Sequence, residues 1–254
     1  MFFVVYVADI AFLSDFLSTS SLPFPLINEK DSYLILLMVC AMAPQKKKVA
    51  LRGSESPMKL FYIFYSQERW DNWMKSLEEA DFGTDPDSED LPQGLSILSG
   101  FNQDICVAVL KIIKLHQNNR FTKEETLERL KDVGSIVMDQ EVPEDLVDVI
   151  QYMQDQLVVV FSSCTMYLNG GYESEEIKDL IRTGRACTED EGEKALAIAS
   201  KIGAHIINGK SCCGRYIKDN MEPTVFNEWL IQIEMMSEAF STLKEFDEQA
   251  GEET

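Results

Sequence analysis

The stretch from Pro143 to Leu168, PEDLVDVIQYMQDQLVVVFSSCTMYL, is the longest uninterrupted helical pattern in the chain, and the reading of the fold starts from it. Pro143 suits a first helical position, and Glu141, Glu144, Asp145 and Asp148 place negative charge near the positive end of a helix dipole. Leu146, Val149, Ile150, Met153, Leu157, Val160, Phe161, Cys164 and Leu168 recur at the spacing of one helix face. A helix of this length spans about 39 Å at about 1.5 Å per residue, enough for the central strut of a domain. Its first half keeps a polar face at Asp148, Gln151 and Asp155, whereas Val158 and Val159 make the second half apolar nearly all round. That pattern predicts a helix entering from the surface and ending in the centre, with Cys164 as packing.

Shorter helical patterns flank it. Downstream, Asn169-Gly170-Gly171 is a stop signal, since glycine accepts the left-handed backbone of a helix C-terminus. ESEEIKDLIRTGRAC follows as a short helix, and Thr188 with Glu191 has capping-box spacing ahead of EKALAIASKIGAHII. Ala195, Ala199 and Gly203 there form a small-residue strip that predicts close approach by a neighbour, and Asn208-Gly209 ends the helix. Glu222-Pro223 begins the last helix, where Phe226, Trp229, Ile233, Met236, Phe240 and Leu243 alternate in steps of three and four, a heptad spacing too short for a coiled coil that reads as a bundle helix, with a dimerisation helix as the alternative.

Upstream, Thr122 and Glu125 form another capping box before a helix with Leu127, Leu130, Gly134 and Val137 on its inner face. Gly134 there predicts a close helix contact. A helix is expected over 102–118, with Ile105, Val109, Ile112, Ile113 and His116 on one stripe. FGTDPDSEDLPQG before it reads as an acidic, turn-rich linker. A solvated loop is the expected reading over a calcium loop, because Asp90 stands where the calcium loop needs glycine and Pro86 intrudes. Ser66 caps SQERWDNWMKSLEEA, where Trp70, Trp73, Met74 and Leu77 share a face, and KLFYIFY before it is strand-like. The expected fold is all-α, an irregular bundle of about six or seven helices.

With 254 residues and 45% hydrophobic content, the chain can bury a real core. The net charge of −20 repels phosphate backbones, so no nucleic-acid partner is expected. Residues 1–57 are electrically neutral, with Lys30, Lys46, Lys47, Lys48 and Arg52 balancing Asp9, Asp15, Glu29, Asp31 and Glu55. This section lacks any sustained period. The run from Met1 to Leu17 is broken by Asp9 and Asp15, and Tyr33 to Ala43 is about half the length that spans a bilayer. Ala41-Met42-Ala43 resembles a signal-peptidase site but lacks a preceding cationic region. The expected organisation is a poorly structured extension or misassigned translation start over 1–57, a helical domain over 58–250 and an acidic tail over 251–254. Met42 and Met58 are the candidate true starts. A membrane partner is expected only if residues 1–57 are expressed.

Familiar catalytic motifs are missing. His116 and His205 are the only histidines, and neither follows an acidic residue by three positions, as di-iron bundles require. HExxH, P-loop, GxGxxG and GxSxG patterns are absent, and no cofactor is implied. The candidate metal set is Cys187, His205, Cys212 and Cys213, thiol and imidazole groups of the kind that hold zinc. Adjacent cysteines chelate poorly, and no CxxC is present, so packed or incidental thiols are the competing reading. Gly184-Arg185 and Gly214-Arg215-Tyr216 can bind an anion in a turn, or Arg182 and Arg185 can simply offset acidic surface. The spacing of all six cysteines is unlike a secreted disulfide framework, which points to a reducing, cytoplasmic setting.

FYSQERWDNWMKSLEEA, TKEETLERLKDVGSIV and PEDLVDVIQYMQ together resemble an uncharacterised archaeal family of methanogen type, domain of unknown function 2150. The resemblance covers roughly residues 58–250 and implies an archaeal cytosolic setting without assigning a role to any residue. The functional expectation is a soluble interaction or regulatory module acting as a homo-oligomer, with a protein partner or a second copy meeting Trp70, Trp73, Trp229, Met236 and Phe240. A metal- or thiol-dependent protein or enzyme using the cysteine–histidine set is the alternative.

Overall fold

The computed structural model describes residues 65–83, 92–210, 216, 217 and 221–251, with side chains as far as Leu243. The expected N-terminal extension, most of the acidic linker, Cys212, Cys213, Arg215 and the tail beyond Gly251 lie outside the described residues. Within them are seven α-helices, a 3-10 turn and no strand. They are α1 (Gln67–Glu78), α2 (Gln93–Gln117), α3 (Lys123–Met138), α4 (Val147–Asn169), α5 (Ile177–Gly184), the turn Glu189–Glu191, α6 (Gly192–Ile207) and α7 (Val225–Gly251). The fold is an all-α irregular bundle. α4 is its hub, packing on α6, α7, α2 and α3, while α5 leans on α6 and α1 rests on α2 and α3.

The local signals act as expected. The Ser66 hydroxyl accepts from the Arg69 amide, opening α1. Thr122 accepts from the Glu125 amide at 3.2 Å while the Glu125 carboxylate accepts from the Thr122 amide at 2.8 Å. Thr188 and Glu191 make the same reciprocal pair ahead of α6. These bonds satisfy orphan amides of a helix N-terminus and set where each helix begins.

α4 differs from its sequence reading at both ends. Residues 144–146 form a turn, with the Leu146 amide donating to the Pro143 carbonyl at 2.9 Å, and the helix starts at Val147. The fully buried part is the middle. Gln156 to Val160 and Ser162 to Cys164 are buried, whereas Thr165 to Leu168 are half-buried and Asn169 is exposed. The helix therefore crosses the domain instead of ending inside it, with its central turns buried and its last turn half-open.

Gly203 explains the closeness of α4 and α6. A Cβ added there would stand 2.0 Å from the Ser163 Oγ and 2.5 Å from its Cβ, so only glycine lets the two backbones approach this far. Gly134 is a correction: a Cβ there meets only the Phe161 ring edge, at 3.9 Å, which is ordinary van der Waals contact. α2 starts nine residues before the expected Asn102. Gly94, the last residue of the expected linker, and Gly100 are both packed. The Phe82 ring would lie 2.6 Å from a Gly94 Cβ, and Trp73 would lie 3.3 Å from a Gly100 Cβ. By length and composition α2 is also apolar enough to cross a membrane, but much of its apolar surface is buried in the bundle.

Candidate functional site: a socket between α2, α4 and α7

Three helices leave a cavity of about 60 Å³ where they converge. Leu95, Leu98, Ser99 and Asn102 of α2 form one wall, Tyr152, Met153 and Gln156 of α4 another, and Ile231, Gln232 and Met235 of α7 the third. Each set falls on a single stripe of its helix, one or two turns long. Leu95, Ser99, Tyr152 and Met235 are half-buried and make the rim, while Leu98, Asn102, Met153, Gln156 and Gln232 lie within.

Buried amides are held rigidly in this wall. Gln232, 2% exposed, donates to the Asn102 Oδ1 at 2.9 Å and to the Cys106 Sγ at 3.1 Å. The Cys106 thiol donates to the same Asn102 oxygen at 3.4 Å. Burial pushes the Cys106 thiol up to about 12, so this sulfur is a structural partner and not a nucleophile. A buried amide without partners costs about 1–3 kcal/mol, which is why α2 and α7 are locked in register here.

Carboxylates flank one end. The Gln156 amide donates to the Glu228 Oε2 at 3.0 Å, and the Trp229 indole N–H donates to the Asp155 carbonyl at 2.9 Å. Neighbouring residues of α4 thus grip neighbouring residues of α7. Burial lifts the Asp155 carboxyl from 3.8 up to about 6. It also raises Glu228, and the Asp155 charge adds to that, while Gln156 opposes it. The Tyr152 phenol is raised by burial and then by Glu228. No cation offsets Asp155 or Glu228 among the described residues.

The residues singled out from sequence lie elsewhere or face inward. Trp70, Trp229, Met236 and Phe240, named as a candidate contact surface, are buried within the chain. Their stripes pack on this chain's own helices. Trp73 is half-buried, stacks on Phe101 with centroids 5.4 Å apart and donates to the Asp104 Oδ2 at 2.8 Å. Arg69 binds the same carboxylate through both Nε and Nη2, so this cluster fastens α1 to α2.

The expected metal set is not assembled among the described residues. Cys187 precedes α6 and His205 lies near its far end, about 20 Å away at about 1.5 Å rise per residue. His205 is fully buried, its Nε2 donating to the Glu175 carbonyl at 2.9 Å and its ring edge-on to Tyr172. Its Nδ1 has no hydrogen-bond partner, and burial pulls its pKa down, with Lys210 acting in the same direction. No group of three or more metal-ligating side chains exists among the described residues. Arg185 spends its donors internally, on the Asn227 Oδ1 at 2.9 Å and the Tyr216 carbonyl at 2.7 Å. It ties the segment before α7 to that helix.

The family described as an uncharacterised protein conserved in archaea, DUF2150, matches over residues 63–249. The chain belongs to that family. No curated protein and no solved structure matches it. The DUF2150 match takes in every helix wall of the socket.

The sequence carried a signal for the site that periodicity alone passed over. Asn102, Gln156 and Gln232 are polar residues within or beside apolar stripes, three places before Ile105, one before Leu157 and three after Trp229. A polar group at such a position has to find a buried partner.

Proposed function

We propose that the chain is a protein-interaction module, acting in regulation, that captures an anchoring side chain of a protein partner in the socket between α2, α4 and α7. The size of the socket carries this reading. Small-molecule and cofactor sites usually enclose about 300–1,000 Å³, and an apolar cavity of about 150 Å³ holds a benzene ring. A space of about 60 Å³ suits the end of one aliphatic side chain. Interface anchors of this kind sit in pockets whose walls are already packed, so little order is lost on binding. The hydrogen-bonded amides of Asn102, Gln156 and Gln232 supply such walls.

Self-association through the α7 stripe loses its main support, because Trp229, Met236 and Phe240 are used inside the chain. A partner other than a second copy is the better reading. The setting we propose is cytoplasmic, supported by the free, buried thiols of Cys106 and Cys164.

Titration of the full chain with N-acetyl-leucinamide, followed through methionine methyl NMR signals, tests the socket. The expected result is saturable shifts at Met153 and Met235, lost in Ser99→Trp. Shifts that persist in that variant, or none at those methionines, would refute the proposal.

A further inference from the structure

Resting on the socket reading above, we infer that the partner is a basic amphipathic helix: an aliphatic residue fills the socket, and a lysine or arginine one turn away meets Asp155 and Glu228. The register comes from the helices themselves. Glu228 precedes Gln232 by four residues on α7, about 6 Å along the axis, and Asp155 directly precedes Gln156 on α4. Glu228 therefore stands about one helical turn from Gln232 and accepts from the lining Gln156, whose chain neighbour Asp155 acts on Glu228 through its charge.

Charge complementarity selects the occupant. Asp155 and Glu228 are partly withdrawn from water side by side, and nothing cationic among the described residues offsets them. The Glu228 carboxylate has one side-chain hydrogen bond, from Gln156. Such a pair is unfavourable in the free chain and becomes favourable once a fixed cation arrives, because the local dielectric is lower than in water. A guanidinium or ammonium on a helix can reach it while an apolar residue three or four positions away stays in the socket. A second copy brings the same net charge of −20 and so meets long-range repulsion. An acidic or neutral helix leaves the carboxylates uncompensated.

A displayed library of helical 14-residue peptides, selected on the full chain and counter-selected on Ser99→Trp, tests this directly. Met235→Trp on the opposite wall is a second blocking variant, and circular dichroism confirms that each variant folds. The expected outcome is enrichment of Leu, Ile or Met with Lys or Arg three or four positions away. A synthesised winner should then lose about tenfold in affinity on Glu228→Gln, which keeps an acceptor for Gln156, and a similar factor on Asp155→Asn. Socket-dependent winners with neutral or acidic residues at that position would overturn the basic partner and leave the socket reading standing. An absence of any peptide whose binding depends on the open socket would overturn both.

Discussion

Replacing Asp155 with asparagine should make the chain more stable at neutral pH. The carboxyl is lifted from 3.8 to about 6 by burial alone, so the folded state holds its negative charge at a cost that the unfolded chain does not have. At about 1.4 kcal/mol per tenfold change in proton affinity, that interval is worth at most about 3 kcal/mol. The side chain is half-open, and solvent screening roughly halves the figure, to about 1.5 kcal/mol. The sign follows from linkage: the cost is fully present above pH 6 and fades as pH falls toward 3.8, because the folded state takes up the proton first. The Trp229 indole bonds the backbone carbonyl of residue 155, so the substitution leaves that contact alone. Urea denaturation at pH 7.5 should show a higher midpoint with an unchanged slope, and a melting temperature raised by about 3–6 °C. Near pH 4 most of the gain should be gone. No gain at pH 7.5, or an equal gain at both pH values, would refute the reasoning. The same variant is expected to weaken a basic partner, a trade of stability against function of a familiar kind.

Two glycines should respond in opposite directions to alanine. Gly203→Ala forces Ser163 and α4 away from α6 and should cost about 3 kcal/mol or more, with part recovered by adding Ser163→Gly; Gly134→Ala, which meets only ordinary contact, should gain about 0.5–1 kcal/mol, and chemical denaturation measures both. The buried neutral His205 should contribute stability that is present above pH 6.5 and lost as pH falls below it, since only the unfolded chain is then protonated. Denaturation midpoints from pH 7.5 to 5 should fall less steeply in His205→Gln than in the parent chain, and equal slopes would refute that role.

Helix existence was legible wherever the cause is local. The reciprocal bonds of Thr122 with Glu125 and Thr188 with Glu191 span only three residues, so the same sequence makes them in almost any surroundings. The first turns of α2 were not legible. Gly94, Ser96, Ser99 and Gly100 carry loop composition, and they become helical because Phe82 and Trp73 pack onto the bare backbone at the glycines. Local propensity is a weak prior when tertiary packing opposes it.

The candidate site divides along the same line. By itself the sequence determined an all-α chain, the capped starts of α1 and α3, the capped turn ahead of α6, the small strip that admits α4 and the acidic character of the chain, because spacing, capping chemistry and charge are properties of neighbouring residues. Of the two readings of the stripe of Trp229, Met236 and Phe240, the tertiary structure has it facing this chain's own core. An apolar stripe has the same period in either case. Tertiary structure also separated Cys187 from His205 by the length of α6 and brought Asn102, Gln156 and Gln232 to one cavity beside Asp155 and Glu228. Those residues come from helices far apart in the chain, and their relation follows from the angles at which α2 and α7 pack on α4.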